Sequence, residues 1–139
     1  MIESLNPLFY YYNEEEDRVN KNNSNLYSPK TGFYKGNLFE NEYSQYKNYI
    51  PKEKTPINER EALLYEIMAY DHASHDLELY LDVYPSNKEY VDLYEKYISK
   101  LNELKEKYTK KYDPICASKG TYEDGYFNYV TTPSAWLGI

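Results

Sequence analysis

Cysteine is nearly absent from this sequence: among 139 residues only Cys116 occurs. One thiol closes no internal disulfide and supplies no zinc-ligand spacing, which points to a cytosolic origin rather than a disulfide-stapled secreted one. Basic residues are also short, 16 Lys and Arg against 23 Asp and Glu, giving a net charge of -7. A surface that grips nucleic-acid phosphates needs the opposite balance, so nucleic acid is not the expected partner. No apolar run nears the ~20 residues that cross a bilayer. The opening "MIESLNPLFYYYNEEED" has neither a basic start nor an apolar stretch and does not read as a secretory signal. Tyrosine, by contrast, is in excess, with 20 residues inside an apolar fraction of 41%. Tyr packs its ring and keeps its hydroxyl wet or bonded, so the aliphatic core is small and rings at surfaces carry much of the contact. The length allows one modest domain.

Residues 1–57 read as an irregular arm. An aromatic cluster, Phe9 to Tyr12, passes into the polar run "NEEEDRVNKNNSN", and then into Pro- and Gly-punctuated sequence without a steady period. That polar run has too little apolar surface to offset its ordering entropy and is expected to be mobile.

Residues 58–84 read as a long helix. Asn58 stands at the N-cap with Glu61 three positions on, and Ile57 and Ala62 occupy the places of a hydrophobic staple. Leu63, Ile67, Tyr70, Ser74, Leu77, Leu81 and Tyr84 alternate steps of four and three and form one stripe. Pro85 disfavours helical geometry at Tyr84 and ends the helix. A second helix is predicted over 86–112, opened by the capping box "SNKE" from Ser86 to Glu89. Its stripe is Tyr90, Tyr94, Tyr97, Leu101, Leu104 and Tyr108, with Leu93 beside it. Two helices with so short a link fold back as an antiparallel hairpin, each roughly 40 Å long at ~1.5 Å per residue. The predicted fold is thus all-α: a two-helix hairpin flanked by the arm and a C-terminal tail.

Charge supports that pairing. The first helix carries seven acids against Arg60 alone, while Lys105, Lys107, Lys110 and Lys111 close the second. A hairpin lays this basic end beside Glu59, Glu61 and Glu66, where each exposed pair contributes under ~1 kcal/mol. Asp82, near a helix C-terminus, is opposed by the dipole unless it reaches free N–H groups across the Pro85 turn. It is expected to lock that hinge, together with Pro85, Ser86 and Glu89.

The sharpest chemical signal is "DHASHD", with His72 and His75 among carboxylates. Ser74, His75 and Asp76 are consecutive and point about 100° apart around a helix, so they form no triad. Carboxylate-bridged metal bundles use Glu-x-x-His from paired helices, but no Glu precedes either His by three and the second helix has no His. Asp71 with His75, and His72 with Asp76, have the spacing of ordinary ion pairs. Leu64, Met68, His72, His75 and Leu79 instead align as a second stripe, roughly opposite the first. A helix apolar on two sides must be covered on two sides, by the arm, the tail or another protein. These five residues, with Trp136 as an aromatic anchor, are the expected partner interface. No catalytic residue, metal ligand or cofactor-binding residue is assigned.

"EALLYEIMAYD", "LELYLDVYPSNKEYVDLYEKY", "KYDPI" and an ending in "TTPSAW" together resemble the CotJB family of bacterial spore coat proteins, over residues 61–136. The most specific part is the run Leu79-Tyr80-Leu81-Asp82 followed by Pro85 and a polar N-cap. More faintly, "YSPKTGFYKGNLFENEYSQY", within residues 27–50, resembles the short partner CotJA. The resemblance divides the chain into an arm over 1–57 and a CotJB-like hairpin plus tail over 58–139. It implies a structural protein of the inner spore coat, made in the mother-cell cytoplasm, that is not an enzyme. It also implies association with CotJA-like chains and with CotJC, which is similar to manganese catalases. His72 and His75 stand where the family is expected to be apolar, and Trp136 stands alone where the family tends to carry more Trp-Pro elements.

Two other functions compete with an assembly protein that docks, or self-associates, through its uncovered stripe and aromatic arms. One is a small metal-dependent enzyme or sensor using His72, His75, Asp71 and Asp76 from two paired hairpins. The other is an adaptor that regulates the catalase-like partner. Oxidative coupling of Tyr10, Tyr11 and Tyr12 between coat proteins is a further hypothesis, set against the routine role of Tyr as a half-buried contact residue.

Overall fold

The computed structural model describes residues 26–40 and 47–132. Trp136, and Tyr10 to Tyr12, lie outside the described residues, as does part of the CotJA-like stretch. The chain order is helix α1 (Pro29–Lys35), the long helices α2 (Glu59–Val83) and α3 (Lys88–Lys111), a 3-10 turn (Ala117–Lys119), strands β1 (Tyr122–Glu123) and β2 (Tyr126–Phe127), and a short helix α4 (Asn128–Thr131).

The two long helices pack together as an antiparallel hairpin, and the pairs across it show the register. Tyr80 lies beside Tyr90 at the turn, Tyr70 meets Tyr97 edge-on at 5.5 Å, and Lys105 and Lys111 reach Asp71 and Glu59. The seam follows the four-three periodicity: Leu63, Ile67, Tyr70, Ser74 and Leu77 are buried, opposite Leu93, Tyr97, Leu101, Leu104 and Tyr108. Tyr84, the last residue expected in that seam, is exposed because the helix has ended by then.

The N-terminus of α2 is built on polar groups. Asn58 Oδ1 accepts the N–H of Glu61 at 2.8 Å, and Glu61 Oε2 accepts the N–H of Ile57 at 2.7 Å. No hydrophobic staple forms. The Ile57 side chain is 83% exposed, since its N–H rather than its side chain fastens to the first turn. The start of α3 also differs from expectation by one residue. Asn87, not Ser86, is the N-cap, with its Oδ1 accepting the N–H of Tyr90 at 3.2 Å. A turn closed by Asn87 N–H to the Tyr84 carbonyl (3.3 Å) takes up Pro85 and Ser86, which delays the first helical residue to Lys88. Glu89 therefore falls in the first helical turn without the box geometry. Among the described residues no hydrogen bond joins Asp82 to this turn, and its side chain is exposed, so it is not the expected hinge lock.

The arm is not wholly irregular. Ser28 accepts the N–H of Thr31, Pro29 opens α1, and Gly36 at φ 79° closes it. The ends of this segment are clipped by the Leu26–Phe39 bridge and by Tyr27 N–H to the Leu38 carbonyl at 2.8 Å. The clipped unit lies on α2, where Leu26 and Leu38 join the core with Leu63 and Leu64. Leu38 donates its N–H to Asp76 Oδ2 at 2.9 Å, and the Phe39 ring stacks on Tyr80 at 5.3 Å.

Nor is the fold strictly all-α. Tyr122 pairs with Phe127 and Glu123 with Tyr126 in a small antiparallel sheet. Its turn residues Asp124 and Gly125 both have positive φ, 50° and 88°, the conformation that matches the twist of a tight hairpin.

Candidate functional site

The two histidines serve different neighbours. His72 is half-buried under the arm, with the Phe33 ring against its edge at 6.1 Å and 70°. Its Nε2 stands 3.7 Å from Asp76 Oδ2, while its buried Nδ1 has no hydrogen-bond partner. His75 projects into solvent, 3.8 Å from Glu78 rather than paired with Asp71. Asp71 instead faces Lys105 across the hairpin at 3.5 Å. Among the described residues no three His, Cys, Asp or Glu gather closely enough to hold a metal ion.

Most of the second stripe lies inside the molecule. Leu64 is fully buried, and Met68 is half-buried against Ala62 and Tyr65. The arm unit over Leu64, His72, Asp76 and Tyr80 supplies cover that periodicity alone left open between arm, tail and partner. The stripe emerges at His75 and at the turn end of the helix. Leu79 is 53% exposed, Val83 one turn on is 68% exposed, and Tyr84 is 56% exposed. Beside them Phe39, Tyr80, Tyr84 and Tyr90 form one ring cluster with centroids 4.9 to 6.3 Å apart.

A second set of exposed apolar side chains sits on the tail, where only Trp136 was expected to make a contact. Tyr122, Tyr126, Phe127, Tyr129 and Val130 are all substantially open to solvent. Asn128 holds their base together: its Oδ1 accepts the Thr121 N–H at 2.8 Å and its own N–H meets the Thr121 carbonyl at 2.9 Å. Phe127 closes over Gly120, where any Cβ would fall 2.5 Å from the ring. The five side chains are thus displayed on a braced unit rather than on loose chain. The legible signal is Asp124-Gly125 flanked by aromatic residues, a hairpin pattern.

Two concavities accompany these surfaces. A cavity of about 150 Å³ lies between the hairpin and the chain after it, lined by Ile67, Met68, Asp71, Lys105, Ile115 and Cys116. An open polar groove of about 650 Å³ runs between the end of α3 and the tail hairpin, with Thr109, Lys110, Glu123 and Tyr126 on its walls. In the first, Asp71 is taken up by Lys105 and the Cys116 thiol lies 3.1 Å from Ser118 Oγ, so among the described residues no hydrogen bond couples the thiol to a base. Burial raises the pKa of Tyr90, and burial also raises that of Tyr108 against the opposing pull of Arg60, so these phenols stay protonated at neutral pH. Glu61 is held below the usual carboxylate range by the Ile57 N–H and by the Tyr65 hydroxyl, which donates at 2.6 Å.

With the hairpin, its polar turn and the aromatic tail in place, the family profile described as CotJB protein matches residues 61–137, more than half of the chain. The chain belongs to the CotJB family. This is a family of spore coat proteins, not known as a family of enzymes, and membership implies association with CotJ coat proteins in general. No curated protein and no solved structure matches the chain significantly. Among the described residues no helix is long and apolar enough to cross a membrane. The CotJB match begins within the first turn of α2 and includes the tail hairpin, but leaves the arm outside it.

Proposed function

We propose that this CotJB chain is an assembly component of the inner spore coat, docking onto neighbouring coat proteins through its tail hairpin and the turn end of α2. The observation that carries this reading is the display of Tyr122, Tyr126, Phe127, Tyr129 and Val130 on a braced, exposed unit within the family-matched region. Large apolar side chains left open to solvent along one short segment suit a surface that is covered in an assembly. Leu79, Val83 and Tyr84 extend the docking surface, and His75, on the turn before Leu79, borders it. Leu64, buried in the subunit, contributes to the platform rather than to the contact.

The partners proposed are CotJA-like and catalase-like CotJC proteins, met in the mother-cell cytoplasm before deposition on the spore. A pull-down from sporulating cells tests the reading. Tyr126→Asp with Val130→Asp should abolish capture of coat proteins while leaving the melting temperature nearly unchanged, since both side chains are exposed. Undiminished capture by this variant refutes it.

A further inference from the structure

The CotJB match leaves out residues 26–39, yet this segment completes the core. It buries Leu26 and Leu38 among Leu63 and Leu64, sets Phe33 on His72, gives the Leu38 N–H to Asp76, and stacks Phe39 on Tyr80. The segment has the build of a ligand. Its fold is closed by its own groups: the Ser28 cap, the Gly36 stop, the Leu26–Phe39 bridge and the bond from Phe39 N–H to Asn37 Oδ1 at 2.8 Å. It is joined to α2 by residues 40–58, whose described part, 40 and 47–58, carries no helix or strand, is mostly exposed, and touches the segment through Glu53, which pairs with Lys30. Nineteen residues at up to ~3.3 Å each span about 60 Å when extended. The 25-residue helix α2 is only ~37 Å long at 1.5 Å per residue. The connector is therefore long enough to carry the segment to a neighbouring molecule.

We propose that the face of α2 formed by Leu64, His72, Asp76 and Tyr80 is a peptide-docking groove, and that its occupant is exchangeable: residues 26–39 of a second copy of this chain fill it in a swapped assembly. The chain's own segment is the one sequence whose fit to the groove is on view, and every contact it makes in one molecule can be made between two. Exchange of an identical element needs no new interface, only a connector that reaches. It links subunits through a surface separate from the aromatic tail.

The test uses the full chain with Cys116→Ser. Phe33→Cys and His72→Cys are made as two separate single variants, mixed, refolded together from urea at increasing concentration, and treated with a short bis-maleimide. A cross-linked species of twice the monomer mass, rising with concentration and missing when either variant is treated alone, is the expected result. The double variant Phe33→Cys/His72→Cys is the control for geometry, closing within one chain at low concentration. If it closes and the mixture yields only monomer, the proposal is overturned. A second measurement stands independently of the cross-link. A labelled peptide of residues 26–40 should bind saturably to the intact chain carrying Phe39→Ala, which loosens its own segment, and a peptide carrying Leu38→Asp should lose at least tenfold in affinity for the same chain. Absence of saturable binding also overturns the proposal, whatever the tail variants do in coat pull-downs.

Discussion

Replacing Asp76 by Ala should loosen the arm, whereas replacing Asp82 should do almost nothing. Asp76 accepts the N–H of Leu38 at 2.9 Å, and Leu38 is fully buried, so the truncation takes the acceptor from a buried donor. A hydrogen bond to a charged acceptor contributes roughly 1.5–3 kcal/mol. The Asp76 side chain is 20% exposed, so water partly screens it and the low end, about 1–2 kcal/mol, is expected. For a domain of this size each kcal/mol moves the melting temperature by roughly 4 °C, giving a fall of about 4–8 °C. Asp82 is exposed near the unfavourable end of α2, so its removal should be neutral or stabilise by at most ~0.5 kcal/mol. Thermal melts followed by circular dichroism compare the two. Amide hydrogen exchange at Leu38 distinguishes release of the arm from global unfolding, and Asp76→Asn, which keeps an acceptor, should recover part of the loss. Equal shifts for Asp76→Ala and Asp82→Ala, or unchanged exchange at Leu38, would refute the reasoning.

The same geometry makes three further predictions. Asn87→Ala removes the cap of α3 and should lower stability by about 1 kcal/mol, while Ser86→Ala should fall within ~0.5 kcal/mol; urea titration separates them. Leu77→Ala empties a fully buried position and should cost about 2–5 kcal/mol, against under ~0.5 kcal/mol for the exposed Leu79→Glu, which should act on coat capture instead. Glu61 has a depressed pKa when folded, so its contribution is present above the unfolded value near 4.5 and fades as pH falls through the lower folded value. The gap in melting temperature between the native chain and Glu61→Gln should therefore be widest near neutrality and shrink below about pH 4; a gap that widens in acid contradicts this assignment.

Helix periodicity, Pro85 and the opposed charges of the two helices were enough to place the hairpin, because long repeats of one pattern average out local exceptions. The exceptions are the short elements and the caps. α1 is seven residues long, too short to show a period, although Ser28-Pro29 and Gly36 marked its ends. The tail sheet has two residues per strand and was visible only through Asp124-Gly125. Ser86 and Asn87 are both good caps, and the choice between them came from the turn that closes on Tyr84.

What the sequence determined by itself is the pair of amphipathic helices, their antiparallel register and the kinship with spore coat proteins, since each is written in local spacing. Which side of α2 stays open was decided only in three dimensions. Covering Leu64 and His72 depends on a segment distant along the chain that folds back and bonds Asp76, and no periodicity within α2 records what lies across from it. The exposed chemistry accordingly moved from the middle of the helix to its turn end and to the tail, where short elements brace aromatic rings that cannot reach the core.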